Sequence, residues 1–544
     1  MIGGLLSNTS SRLALIAAAG LFMGGVAMPS AKAADLGGDC CADLEERVAE
    51  LEATTARKGN RKMSLTITGQ VNRLIMAWDD GHTHGIYYGI DNVNTSSRFS
   101  LLGEASATPW LKFGFEIMLE SESTSGSTRV SQLNEDGSFS ATTYLAPIGT
   151  SGVNNAGNSD SFFGDARRVA AWAEHKELGR VTVGRYETAG AMGTIDLGGI
   201  GVVAGFGSMS LLQGNFFLRL SDGSLTNSVW SQFLDPAAYQ SRQETLRYDS
   251  PAIHGFIFSA SVSEASGGFN QGSNWGVMLR YAGEHHGFRV AAGVGYDHTG
   301  DLFTPTSVAV AASTTGGSVT PGLNLVGASP FTLREPNVNA WGAALSLMHV
   351  HTGLFVQGSY QAVEYNNFGS TTSGYWGEAC DGSTGAGTNV LLPGTAPAPT
   401  GGCNPKKDTS WWQIQGGIAK NWTGWGNTVL YGEYGKFKDW GAEQGGRNFT
   451  SGSSPQVFGF AALQNVKTTD ATVWGVGIVQ NFNNAATEWY LGYRNFALDL
   501  NSDVVCTRGA NVNIATNAPA SAVGTPCGSI SDFNLVVTGL RVKF

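Results

Sequence analysis

From Ser64 to the C-terminus, apolar and polar residues alternate with a period of two, in runs broken by turns. The last run shows the pattern well. Phe544, Val542, Leu540 and Val536 share one parity, with Thr538 the single lapse, and Lys543, Arg541 and Gly539 take the other. Near the start, Leu65, Ile67, Gly69 and Val71 alternate with Thr66, Thr68, Gln70 and Asn72. Leu111, Phe113, Phe115, Ile117 and Leu119 alternate with Lys112, Gly114, Glu116 and Glu120. Successive side chains of a strand point to opposite faces, so each run has one apolar and one wet face. No stretch reads as a spanning helix. Gly198 to Phe217 is almost uncharged, but its six glycines make a poor helix, and it reads as a loop packed against protein. Without a helix, only a closed β-barrel satisfies every backbone group in lipid.

The pattern predicts sixteen strands near 64–78, 97–107, 110–121, 166–175, 179–187, 241–250, 254–264, 273–282, 287–297, 337–348, 353–363, 409–420, 427–437, 471–482, 487–499 and 531–544. Their connections alternate in length. Glu284-His285-His286 and His351-Thr352-Gly353 are short, and the polar Gly/Ser/Thr-rich connections are long. Short turns on one side and long loops on the other are the plan of an outer-membrane barrel. Glycine is 75 of 544 residues, about twice the usual ~7%. Trp78, Trp110, Trp341, Trp411, Trp412, Trp422, Trp425, Trp474, Trp489 and Tyr490 lie near strand ends and predict aromatic girdles at the membrane surfaces. The fold class expected is all-β: a sixteen-stranded antiparallel transmembrane barrel.

The N-terminus reads as a separate segment. Arg12, an apolar stretch from Leu13 to Val26 and the Ala31-Lys32-Ala33 site predict a signal peptide over 1–33. Residues 34–63 are expected in the periplasm. There Cys41, Leu44, Val48 and Leu51 take heptad spacing, a short helix that needs an oligomer to hold it. Residues 64–544 make the barrel. Losing Arg12 and Lys32 leaves 31 basic against 43 acidic residues, a net charge of −12, which argues against nucleic acid as a partner. In an exported chain, Cys380 with Cys403 and Cys506 with Cys527 are candidate disulfides, each closing one loop, although spacing alone leaves other connectivities open. Cys40 and Cys41 are left over.

Several stretches resemble the general porins of Gram-negative bacteria, most closely their alphaproteobacterial branch. Asp39 to Glu52 resembles the N-terminal lead of that branch, and Leu65 to Asn72 its opening strand. Leu246-Arg247-Tyr248-Asp249-Ser250-Pro251 resembles the strand after the constriction loop, and Val536 to Phe544 the closing strand. The resemblance implies a homotrimer in the outer membrane, in contact with lipid and lipopolysaccharide. It makes the terminal Phe544 the signal read by the barrel-assembly machinery. It implies a third external loop, about 188–240, folded into the barrel. It further implies a basic wall facing acids on that loop. By position the wall candidates are Arg98, Arg168, Arg185 and Arg247, and the loop acids Asp196, Asp222 and Asp235. Gln70 stands where relatives often carry a pore-facing basic residue, and Arg73 shares parity with lipid-facing Val71, which calls for a bulge or the water interface. The Ala34-Asp35 start resembles termini that some relatives attach to peptidoglycan.

The function expected is a passive, water-filled channel for small hydrophilic solutes and ions, with no cofactor, no metal and no catalysis. Gly199 to Ala204 fits a dinucleotide-loop pattern but lacks the flanking strand and helix. The pairs His82/His84, His285/His286 and His349/His351 lack further ligands at zinc spacing. Two alternatives remain: an envelope anchor or adhesin tied to peptidoglycan, and a barrel hydrolase, for which His298 beside Asp297 is the nearest pair.

Overall fold

In a computed structural model, the described residues are 63–121, 165–190, 193–205, 212–223, 225–234, 242–264, 271–303, 337–366, 407–440, 466–502 and 529–544, with a few isolated positions between. Seventeen strands form one sheet. They are β1 (Ser64–Asp79), β2 (His84–Asp91), β3 (Arg98–Thr108), β4 (Leu111–Glu120), β5 (Asp165–His175), β6 (Gly179–Glu187), β7 (Arg242–Asp249), β8 (Phe256–Glu264), β9 (Gln271–His285), β10 (Phe288–Phe303), β11 (Asn337–His349), β12 (Leu354–Asn366), β13 (Thr409–Lys420), β14 (Thr428–Lys438), β15 (Val466–Phe482), β16 (Thr487–Ser502) and β17 (Phe533–Lys543). β2 pairs with the end of β1 and β3 with its start, so the two are halves of one crossing. Seventeen strands therefore make sixteen antiparallel crossings. β1 also pairs with β17 from Gln70↔Lys543 to Asp79↔Asn534, which closes the barrel.

The period of two is the physical cause. Outward positions of β1 (Leu65, Ile67, Val71, Ile75) are exposed, and inward Gln70 and Asn72 are buried. The lapse at Thr538 is satisfied locally. Its hydroxyl accepts the Trp489 indole N–H at 3.1 Å and donates to the Tyr490 carbonyl at 3.0 Å. The sequence reading began the second crossing at 97, whereas the structure begins it at His84. A bulge between Leu74 and Met76 breaks the register there, and Gly89 takes φ 68°. That is the bulge Arg73 calls for: its guanidinium reaches Asp91 at 3.7 Å from the outward face.

The aromatic expectation needs correcting at three positions. Trp78, Trp411 and Tyr490 turn inward and are buried. Trp78 and Tyr490 pack in a cluster with Leu74, Met76, Phe216, Trp230, Phe496 and Phe533, so the lumen wall beneath Phe216 and Trp230 is apolar. The outward aromatics form a belt instead. Trp275, Tyr296, Trp341, Tyr360, Trp412, Tyr434, Trp474 and Tyr493 occupy eight consecutive strands, β9 to β16. Rings 4.9–5.5 Å apart join Trp275 to Tyr296, Trp341 to Tyr360, Trp412 to Tyr434 and Trp474 to Tyr493. Direct register pairing joins Tyr296 to Trp341, Tyr360 to Trp412 and Tyr434 to Trp474.

The N-terminal helix and the sites at Cys380, Cys403 and Cys527 lie outside the described residues. The backbone of Cys506 pairs with Thr525 in a short ladder. No helix among the described residues is long and apolar enough to cross a membrane, which says nothing of strands.

Candidate functional site

The connection from β6 to β7 turns into the lumen and is held there residue by residue. Ala189 N donates to Ser261 Oγ of β8 at 2.7 Å, and Thr188 Oγ1 to Asp297 Oδ2 of β10 at 3.3 Å. Leu197 N donates to Ser346 Oγ of β11, and Gly198 N to Gln357 Oε1 of β12, both at 3.3 Å. Gln415 Nε2 of β13 donates to the Ala204 carbonyl at 2.5 Å, and Asn92 Nδ2 to the Val202 carbonyl at 3.0 Å. The inward faces of β12 and β13 carry Gln357, Gln361, Gln413 and Gln415, all buried, a neutral clasp for the loop. Gly199 to Ala204, the false dinucleotide pattern, is here a single helical turn, Gly201–Ala204, at the inner wall.

Asp196 shapes that turn. Its Oδ1 accepts Gly199 N at 2.8 Å and Ile200 N at 3.2 Å, and its Oδ2 accepts Gly201 N at 2.6 Å. Among the described residues no ion pair joins it to the basic wall. Asp222 lies elsewhere: it is exposed at the tip of the Phe217–Arg219/Leu225–Val229 hairpin, where Gly223 abuts His82 of the first external turn. Asp235 lies outside the described residues. The expectation that loop acids directly face wall arginines is therefore not met by Asp196 or Asp222.

The basic residues split. Arg98, Arg168 and Arg247 take inward parity on β3, β5 and β7. Arg98 stands opposite both Glu120 and Gln70 in register, so a Gln does lie beside a pore-facing Arg. Arg168 is buried between two acids, with Nη1 3.1 Å from Glu116 and Nη2 2.7 Å from Glu187. Arg247 chelates Asp249 at 2.8 and 3.0 Å and donates Nη1 to the Glu187 carbonyl at 3.1 Å, where the loop begins. Arg185 is the correction. It shares the outward parity of Val181 and Val183, 42% and 56% exposed, and donates Nε to the Ala166 carbonyl at 3.0 Å. Position before the loop suggested the wall, but strand parity places it outside.

The acids that answer these arginines are on the wall itself: Glu116, Glu120, Glu187 and Asp249. Parity alone would have found Glu116 and Glu120, which alternate with the outward Phe113, Phe115 and Ile117. Arg280 adds a second guanidinium to Asp249 at 3.0 Å. On the far wall Arg494 pairs with Glu433, 2.5 Å apart. Fixed opposed charges in a narrow wet opening focus the field and orient dipolar solutes.

The hydrolase pair comes apart. Asp297 is buried inward on β10, while His298 points outward, with Nδ1 2.6 Å from Asn339 Oδ1 and its ring beside Trp275. Among the described residues no three His, Cys, Asp or Glu side chains converge on a metal position.

The chain folds as a closed sixteen-crossing barrel with an inward loop and a charged wall, and its sequence matches the Gram-negative porin family over residues 17–500. The chain belongs to that family. It is a porin of the outer membrane, a passive channel for small hydrophilic solutes. Solved porin structures resemble it at low identity. An anion-selective porin from Comamonas acidovorans is 13% identical, covering 89% of this chain and 100% of its own, with a TM-score of 0.43. OmpT of Vibrio cholerae is 12% identical, covering 90% and 99%, at 0.41. OprB of Pseudomonas putida is 9% identical, covering 92% and 97%, at 0.43. At those scores the family rests on the sequence match and the barrel itself. No curated protein matches the sequence.

Proposed function

We propose that the constriction of this porin lies between residues 188–205 and the inner wall of β3 to β7, and that Arg98, Arg168 and Arg247 set its field. The observation that carries this is the line of hydrogen bonds from Ala189 to Ala204. It runs along β8 and β10 to β13, none of them a strand that carries Arg98, Arg168 or Arg247. The charged groups around Arg98 include the cations Arg167, Arg168 and Arg541 and the acid Glu120. The channel favours anions although the whole chain carries −10. Such a pore needs no catalytic group, and none is assigned. Single-channel conductance and reversal potential of purified protein in planar bilayers test this. Ohmic openings with anion preference, reduced in Arg98→Ala, are expected. Cation preference unchanged by that substitution would overturn it.

The porin works as a homotrimer joined through the β1–β8 side. The Trp/Tyr belt covers β9 to β16 and has no counterpart among the described residues of the other half. That half instead carries outward Arg73 and Arg185, the latter paired in register with exposed Glu244. An outward Arg at the bilayer midplane costs about 2–4 kcal/mol in lipid, a cost that a protein neighbour removes. Mass measurement in detergent tests this: Arg185→Glu is expected to weaken the trimer, and an unchanged mass at all concentrations would count against this face.

A further inference from the structure

Beyond Ala204 the inward loop continues as a second packed unit, residues 212–223 and 225–234. It holds the Phe217–Arg219/Leu225–Val229 hairpin and one helical turn, Ser231–Leu234. A water-filled barrel carries polar residues on its inner face. At the external ends of β1, β2 and β15 to β17 the inner face is apolar instead: Trp78, Tyr87, Val473, Phe496 and Phe533 point inward and are buried. The loop supplies their partners. The Phe216 ring lies 5.2 Å from Trp78, 6.3 Å from Tyr87 and 4.9 Å from Phe533. The Trp230 ring lies 6.0 Å from Phe496 and 6.1 Å from Phe533, and Ser231–Leu234 rests on β15. Phe216 is fully buried and Trp230 is 1% exposed, so water does not pass between these rings and the wall behind them.

Three external connections fix this unit. Arg219 is joined to Asp80 and Thr83 of the first. Gln132 of the second donates Nε2 to the Phe217 carbonyl at 2.8 Å and accepts Phe217 N at 2.9 Å, so a side-chain amide pairs with the hairpin as a strand would. The last connection pairs through its backbone. Ser221 N donates to the Ser529 carbonyl and Ser531 N to the Arg219 carbonyl, both at 2.8 Å, on either side of an antiparallel bridge between Leu220 and Ile530. Phe217–Arg219 therefore has a partner on each side: Leu225–Val229 on one, and Gln132 with Ile530 on the other. Aromatic packing beneath and backbone pairing along both edges build the unit into the barrel, since close-packed interiors yield little.

We infer that residues 212–234 are a fixed plug that closes the external mouth of the barrel over β15 to β17, β1 and β2, and that Phe216 and Trp230, the rings that seat it, are size-determining residues of the channel. The inference rests on the channel reading above and adds a second size filter to it. None of the rings that seat the plug belongs to β3, β5 or β7, the strands that carry Arg98, Arg168 and Arg247. The plug therefore acts on solute size and leaves charge selectivity to the arginines.

The test uses the full-length porin in planar bilayers, and in proteoliposomes that swell as sugars of increasing size enter. Phe216→Ala with Trp230→Ala is expected to raise single-channel conductance and to speed swelling most for the larger sugars, with the reversal potential unchanged. Arg219→Ala with Asp80→Asn unties the hairpin and keeps both rings. It is expected to make the current flicker between the wild-type level and a higher one. Heat-modifiable gel mobility identifies the folded barrels, and if the ring variant does not fold, the untied variant decides alone. Wild-type conductance, steady current and an unchanged sugar limit in the folded variants would overturn the plug. A wild-type reversal potential that Arg98→Ala does not move would instead overturn the constriction reading, with the size effect of the plug unaffected.

Discussion

Arg219 grips Asp80, with Nε at 2.9 Å and Nη2 at 2.7 Å from the same carboxylate oxygen, and so ties the second half of the inward loop to the first external turn. Arg219 also donates to Thr83 Oγ1 and the Gly223 carbonyl, both at 2.8 Å. Gln132, from the second long loop, adds Nε2 to the same oxygen of Asp80 at 3.2 Å. Three external connections therefore meet on one carboxylate. Burial by itself would raise that carboxyl, but Arg219 and the N–H groups of Thr83 and His82 overcome it and hold the group below its ordinary 3.8.

That sign fixes a pH dependence. A carboxyl depressed in the fold contributes stability that is fully present above its unfolded value and lost as pH falls through its folded one. Asp80→Asn is expected to lower stability at neutral pH by about 1.5–3 kcal/mol, the usual worth of hydrogen bonds to a charged group. The gap between wild type and variant should stay constant above about pH 5 and close as pH drops below 3.8. Thermal midpoints across that range check it, and a gap that widens on acidification contradicts the assignment.

Arg168 and Arg98 should differ in kind. Arg168 is 3% exposed between Glu116 and Glu187, at 4% and 12%. Removing it strands two buried carboxylates, so Arg168→Ala is expected to destabilise the barrel by about 3–5 kcal/mol, the usual result of breaking a buried pair from one side. Adding Glu116→Gln and Glu187→Gln should restore most of that loss. Arg98 is only half-buried, so its loss should alter selectivity with little change in stability. Equal destabilisation by Arg98→Ala and Arg168→Ala, in heat-modifiable gel shifts, would refute the distinction.

The barrel was legible because its period of two is written in nearly every crossing, from Leu65 to Phe544. What escaped follows from two departures. Where a bulge shifts parity, as at Tyr88-Gly89 of β2 opposite Leu74 to Met76, the alternation breaks and β2 disappears from view. Where inward positions join the buried apolar cluster, as Trp78, Trp411 and Tyr490 do, they read as girdle residues. The site suffered from reasoning by position. Arg185 precedes the loop, but parity with Val183 sets its direction. Asp196 is on the loop, but its oxygens are taken by Gly199, Ile200 and Gly201. The acids that matter, Glu116 and Asp249, were on the wall and readable by parity.

Closure rests on a small socket. Gly69 and Phe544 exchange backbone hydrogen bonds at 2.9 and 3.0 Å. A Cβ on Gly69 would lie 2.5 Å from the Phe544 ring and 2.6 Å from the Arg98 carbonyl. The ring can swing away but the carbonyl cannot, so Gly69→Leu is expected to open the seam. Overpacking of this kind costs about 1–3 kcal/mol. A smaller folded fraction after refolding from urea is the readout. Deleting Phe544 in the Gly69→Leu background should add little, because both changes remove the same contact. Full additivity would show that they act separately.

The root of the inward loop is where pore size is set. At Gly190 a Cβ would stand 2.4 Å from the Tyr296 carbonyl and 2.8 Å from Asp297 Oδ2. Across the contact, a Cβ on Gly276 would meet Gly190 N at 2.6 Å. Two glycines thus let the loop backbone lie directly on β9 and β10, held by Ser261 of β8 and Asp297 of β10. The Tyr296 carbonyl belongs to the sheet ladder and cannot retreat, so Gly190→Leu must lift the loop. Lifting moves residues 193–205 toward the arginine wall or out of the lumen. The clasp at Gln357 and Gln415 grips the loop further along and opposes outward release. The lifted root therefore swings toward the wall, and single-channel conductance is expected to fall. Adding Gln357→Leu and Gln415→Leu frees the loop and should reverse the sign, giving a conductance above wild type. An unchanged conductance in Gly190→Leu would mean that the loop does not bound the opening.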